Sequence, residues 1–207
     1  MKKVSAAIWT KLLVHSPVFS TAEVAESAGV TLSNASRDLA TLEKTGIVTR
    51  VRRGLWAVPQ QPDFSPYAVV PHLFGSPEGA YVSLLTALGL HGVIEQIPRV
   101  IQIMTHSWRP TLRTPVGTYE FHLLQSRLFG GYEPYDRAWS FDLATPEKAL
   151  FDTLYLSTRK DRRFAHLPEI ELPDDFSEGV VEAWVSKIDH AVLRTAVAKR
   201  WSRLRLA

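Results

Sequence analysis

A chain of 207 residues, 45% hydrophobic and 22% charged, is long enough to bury one large core or two small ones, and its composition is that of a folded protein rather than a disordered one. No run reaches the roughly 18 uninterrupted apolar residues of a membrane span. Thr10-Lys11 breaks the apolar run near the start with no small-residue cleavage pattern after it, so export, a lipid anchor and a membrane partner are not expected. The absence of cysteine excludes disulfides, thiolate nucleophiles and cysteine-ligated metal centres, which fits a cytoplasmic location.

The net charge of +3 says little as a sum and more as a distribution. Up to Gln60 there are eight bases (Lys2, Lys3, Lys11, Arg37, Lys44, Arg50, Arg52, Arg53) against four acids, a local +4, while the remainder carries −1. Three prolines between Pro59 and Pro66, in a stretch without hydrophobic period, mark a linker over 59–65. The chain is therefore expected to divide into an amino-terminal domain over 1–58 and a second domain over 66–207.

In the first part, Ile8, Trp9, Leu12 and Leu13 form the apolar stripe of a first helix. Ser20-Thr21-Ala22-Glu23 has the form of a capping box, and Gly29 sits where a left-handed residue would end a short second helix. Thr31 is placed to cap a third helix, in which Leu32, Ala35, Leu39 and Leu42 share one face until Gly46. The β-rich runs Ile47–Val51 and Leu55–Val58, joined by Arg52-Arg53-Gly54, predict a hairpin. Three helices and a basic hairpin make a winged helix-turn-helix.

A recognition helix packs one face on its own domain and offers hydrogen-bonding groups to major-groove base edges with the other. Opposite the apolar face of the third helix lie Ser33, Arg37, Ala40, Thr41 and Lys44, flanked by Asn34 and Ser36. Arg37 suits a bidentate contact with guanine and Asn34 suits adenine, while Ser33, Ser36, Thr41 and Lys44 suit phosphates or mixed contacts. Arg50, Arg52 and Arg53 form a cationic wing for backbone or minor groove. Taken singly, any of these charges is an ordinary solvated side chain; the cap, the two-faced helix, the wing and the local charge excess point together to double-stranded DNA.

Beyond the linker, Tyr81–Leu88 is predicted helical and Val100–Ile103 a strand. Tyr119–Leu123 alternates so that Glu120 and His122 share a polar face, which suggests a small antiparallel sheet. Thr145-Pro146-Glu147 opens a helix to about Leu156 that reads as buried. The basic end from Val180 to Leu206 is helical, and its bases fit a second nucleic-acid surface, a solvated face or a dimer rim. The fold class is therefore α+β.

No hydrolase elbow, phosphate loop, dinucleotide fingerprint or H-E-x-x-H pair occurs, so no enzyme activity, cofactor or metal is expected. His91 and Glu95 are four apart but straddle Gly92 near a helix end, which favours a structural role. Lys148 and Asp152 read as a modest helix-surface pair. Trp108–Arg113 mixes an aromatic with bases, a weak phosphate or RNA signal.

Arg53-Gly54-Leu55-Trp56-Ala57-Val58 leads the series. After it come Tyr81-Val82-Ser83 with Ala87-Leu88 and His91-Gly92, then Glu95-Gln96-Ile97-Pro98, and finally Ala144-Thr145-Pro146-Glu147-Lys148-Ala149-Leu150-Phe151-Asp152. In this order the chain resembles AbiEi-like antitoxins over nearly its whole length. The resemblance implies an amino-terminal domain that binds inverted repeats in its own promoter and represses it. It also implies a second domain that supports antitoxin action in a type IV toxin–antitoxin, phage-defence operon. The implied toxin is a nucleotidyltransferase-like protein countered without a stable complex. One domain offers few base contacts, so a homodimer on repeated half-sites is expected. Two other readings are a solitary or ligand-responsive winged-helix repressor and a metal-dependent nucleic-acid-processing enzyme using acids such as Glu120, Asp142 or Glu147.

Overall fold

The computed structural model describes residues 16–62, 64–74, 79–96, 98–136, 140–158, 164 and 167–206. The predicted first helix, with Ile8, Trp9, Leu12 and Leu13, lies outside the described residues. The chain forms two compact units, one within 1–77 together with 112–118 and 136–140, the other from 78–111, 119–135 and 141–207.

The first unit begins with β1 (Val18–Ser20), a strand the sequence reading did not anticipate because its Val-Phe run is too short to show a period. It leads directly into α1 (Thr21–Ala28) through a complete capping box: Glu23 N–H donates to Ser20 Oγ at 3.1 Å and Ser20 N–H to the Glu23 carboxylate at 2.5 Å. Gly29 ends the helix at φ 60°, a left-handed conformation that a side chain would strain, and its N–H caps the last carbonyls. The three-residue link to α2 (Leu32–Lys44) closes with Thr31 Oγ1 accepting from Asn34 N–H at 3.3 Å.

Two further strands, β2 (Thr49–Arg52) and β3 (Leu55–Ala57), pair antiparallel with an irregularity between Arg50 and Arg52, and β1 adds to β3, giving the order β1-β3-β2. Phe19, Val24, Ala25, Ala35, Leu39, Val48, Trp56 and Val58 form one core, with Leu42 packed against it. The Trp56 indole N–H donates to Thr21 Oγ1 at 2.9 Å, which satisfies the polar edge of the largest core side chain. The architecture is that of a winged helix with a three-stranded sheet.

This unit does not stop at the proline-rich stretch. A 3-10 helix (Pro66–His72) follows, with Ala68, Val69 and Val70 buried. The stretch itself is tied down locally: Gln61 N–H donates to the Val58 carbonyl at 3.1 Å, Phe64 N–H to that of Gln61 at 3.0 Å, and the Gln60 amide to that of Gly46 at 2.9 Å. Proline marks backbone without regular ladders, which is a different property from backbone without packing.

In the second unit the strands are β4 (Ala80–Val82), β5 (Ile101–Thr105), β7 (Gly117–Leu123), β8 (Tyr132–Asp136) and β9 (Ser140–Ala144), in the order β7-β5-β4-β9-β8; β6 (Leu112–Thr114) belongs to the segment grouped with the first unit. The sheet is mixed rather than antiparallel: β4 runs antiparallel to β5, but β5 is parallel to β7 and β4 parallel to β9. Alternation reports which face a side chain occupies and carries no information on strand direction.

Two local expectations also change. Tyr81 and Val82 are strand, with the helix α3 (Leu84–Leu90) starting only after Ser83. His122 is buried, so β7 does not present a free polar face. Helix α4 (Pro146–Ser157) is capped by Thr145 and is buried from Lys148 to Ser157. The basic end is two helices, α5 (Glu178–Ser186) and α6 (Ala191–Leu204), the latter capped by His190 Nδ1 accepting from Leu193 N–H at 3.3 Å.

Candidate nucleic-acid interface

Helix α2 has a sharply divided surface. Ala35 and Leu39 are buried and Leu42 partly so, while Ser33, Asn34, Ser36, Arg37, Thr41 and Lys44 are all exposed. The 100° step of the helix places Ser33, Arg37 and Lys44 within about 40° of one another, so one line of approach meets a hydroxyl, a guanidinium and an ammonium. Neither the Arg37 nor the Lys44 side chain has a hydrogen bond or ion pair among the described residues. Thr41 differs: its hydroxyl donates to the Arg37 carbonyl at 3.0 Å, within the helix. No acid occupies the first turn, so the positive end of the helix dipole is left unneutralised on the side that an anion would meet.

The wing arginines are less free than the sequence suggests. Arg50 turns back to Glu43 of α2 at 3.0 Å and lies over the Trp56 ring at 4.6 Å. Arg52 donates to the His72 carbonyl at 2.7 Å. Of the three, Arg53 at the tip is the one that is exposed and without such a contact among the described residues. The nearby His72 imidazole is held below its ordinary pKa, chiefly by burial and further by Arg52, with Glu23 opposing.

Leu32 corrects another expectation. The helical period sets it within about 20° of Leu39, yet it is 59% exposed where Leu39 is fully buried. It is the first residue of α2, and the core cluster reaches the helix only from Ala35 onward. Periodicity fixes a direction around the axis and not how far along it the packing extends.

The second unit holds a polar cluster of the opposite kind. Lys148 and Asp152 are completely buried and paired, and Asp152 also accepts from the Tyr81 hydroxyl at 2.9 Å and the Ser83 hydroxyl at 2.8 Å. The Lys148 ammonium lies 4.7 Å from the Trp184 ring centre, 4.9 Å from that of Phe151 and 5.5 Å from that of Tyr81. This is not the surface pair that an i, i+4 spacing suggests. Burial pushes the Asp152 carboxyl up and the Lys148 ammonium down, each opposed by the partner's charge, and burial beside Asp152 lifts the Tyr81 phenol well above its usual range. With Tyr81, Ser83, Lys148 and Asp152 all inside the core, the cluster offers a solute no approach.

Other candidate chemistry disperses. His91 is bonded through Nε2 to the Ala144 carbonyl at 2.7 Å, a structural role. Glu120 lies on β7 and Asp142 on β9, with two strands between them, and Glu147 accepts from Ser177 N–H at 3.1 Å. Among the described residues no group of three or more His, Asp or Glu side chains is placed to hold a metal ion, and no helix is long and apolar enough to cross a membrane. The basic end is largely engaged within its own unit: Arg194 donates to the Ile188 carbonyl at 2.7 Å, Arg205 pairs with Glu178 at 2.6 Å and Glu182 at 3.3 Å, and the Lys187 ammonium lies 3.6 Å from the Trp184 ring centre.

Residues 12–59 match the family described as transcriptional regulator, AbiEi antitoxin. The matched segment contains α1, α2 and the wing, and over these residues it bears out the resemblance read from the sequence. No curated protein matches the chain.

Proposed function

We propose that this chain, whose residues 12–59 match the family described as transcriptional regulator, AbiEi antitoxin, binds DNA by setting the exposed face of α2 into a major groove and represses its own promoter. The observation that carries this reading is the surface of α2: every side chain proposed to meet DNA by hydrogen bonding is exposed, and from Ala35 onward the opposite side packs on the core. Asn34 and Arg37 would read bases, with Ser33, Ser36, Thr41 and Lys44 on phosphates or in mixed contacts. Arg53 would lead the wing, and Arg50 and Arg52 would reach DNA only by exchanging their present partners. Two copies on an inverted repeat would supply enough contacts for specificity. By the resemblance read from the sequence, its toxin would be a nucleotidyltransferase-like protein countered without a stable complex.

The test is a gel-shift titration of the full chain on its own promoter and on a scrambled duplex of equal length, at two salt concentrations. The promoter should bind at least about a thousandfold more tightly, the low end of the usual span between specific and non-specific sites. Arg37→Ala with Lys44→Ala should remove most of that difference without unfolding the chain, since both side chains are exposed. Equal affinity for the two duplexes, or unchanged binding by the double variant, would reject the reading.

A further inference from the structure

We infer that Leu32 is a specificity-determining residue that reads the C5-methyl group of a thymine in the bound duplex; this rests on the DNA-binding reading of α2. Leu32 opens the helix and is 59% exposed, the most exposed large apolar side chain of the first unit among the described residues. A single exposed leucine is ordinary on a protein surface, so its surroundings carry the argument. Its neighbours Thr31, Ser33 and Asn34 are exposed, and so is Ser36, four residues on and therefore next to it on the helix surface. Apart from Leu32 and Val30, which is 39% exposed just before the cap, this patch is made of small or hydrogen-bonding side chains, which leave room for a base edge and would satisfy its donors and acceptors. The leucine can satisfy none of them. In the major groove the one apolar feature of a base edge is the thymine methyl group, and it lies beside the hydrogen-bonding atoms that the serines, Asn34 and Arg37 can address. Leucine at this position therefore selects for that methyl and against cytosine, whose edge presents an amino donor instead.

Leu32 also sits where a leucine is not needed for folding. Ala35 and Leu39 supply the buried contacts of the helix, and Thr31 supplies its cap. Replacement by alanine improves helix propensity, so a change in DNA binding can be read without a change in fold.

The experiment takes the tightest-binding duplex selected by the full chain from a random library and replaces its thymines by uracil one at a time. Uracil keeps every hydrogen-bonding group and loses only the methyl. The synthetic duplex contains no methylated cytosine, so any effect belongs to thymine. Wild-type affinity should fall about fourfold at one position in each half-site, the amount set by one buried methyl. Leu32→Ala should bind the thymine duplex about as weakly as the wild type binds the uracil one, and should lose the distinction between them while keeping its melting temperature. A wild type indifferent to every replacement, or a Leu32→Ala variant that still discriminates at the same position, overturns the inference and leaves the DNA-binding reading standing. A library that yields no preferred duplex overturns both.

Discussion

The two units treat polar side chains in opposite ways. In the first, Ser33, Asn34, Ser36, Arg37 and Lys44 stand exposed on one side of α2, and the two bases among them have no partner among the described residues. In the second, Lys148, Asp152, Tyr81 and Ser83 are buried and bonded to one another, and the Lys148 ammonium also faces the rings of Tyr81, Phe151 and Trp184. A charge that a fold leaves unpaired at its surface costs little and remains available to a ligand, whereas a charge taken into the core is tolerable only when every bond is made inside. A lysine can therefore stand exposed and unpaired in one place and form part of the architecture in another, and what each ammonium touches separates the two.

The sharpest way to break this comparison is to remove one member of the buried set. Asp152→Asn leaves the Lys148 ammonium without a counter-charge in the core and should cost about 3–5 kcal/mol of stability in urea unfolding. Adding Lys148→Met should recover much of that loss, because the uncompensated charge is then gone. An Asp152→Asn protein of wild-type stability would show that the pair is not the closed unit its geometry describes.

The exposed set should behave in the reverse sense. Arg37→Ala should leave the urea midpoint unchanged while weakening binding to the promoter by about 1–3 kcal/mol, with the preference relaxed at one base pair. Arg52→Ala sits between the two regimes, since its guanidinium already bonds the His72 carbonyl. It should weaken all duplexes alike, lower the slope of log affinity against log salt by about 1, and take a small toll on stability through the lost bond.

The smallest effect concerns His72. Its imidazole is held below 6.5 in the folded chain, by burial first, so on acidification the unfolded chain takes up a proton before the folded one does. Stability should be flat above that value and decline as pH falls from about 6.5 toward the lower folded pKa. Melting curves of wild type and His72→Gln across that window should differ by this decline, and identical curves would place His72 in water.

Much of the first unit was legible in order. The capping box at Ser20, the left-handed Gly29, the Thr31 cap and the hairpin around Gly54 are each local arrangements, decided by a few neighbouring residues whose hydrogen bonds close on themselves. The division of α2 into an apolar and a polar side followed from the same 3.6-residue period, and the apolar positions Ala149, Leu150, Leu154 and Leu156 marked α4 as a buried element.

What the sequence alone could not decide were the quantities that depend on contacts between distant residues. Whether Leu32 is covered depends on how far the core extends along α2. Arg50 was drawn back by Glu43 and Trp56, and Arg52 by a carbonyl twenty residues on. The directions of β5 against β7 and β4 against β9 depend on chain crossings that no alternation encodes. The burial of Lys148 and Asp152 depends on Tyr81 and Ser83, some seventy residues earlier, arriving to complete the carboxylate's hydrogen bonds. Local patterns are set by hydrogen bonds and periods that span a few residues. Exposure, pairing and strand direction are set by what the rest of the chain brings to the same place, and only the tertiary structure contains that.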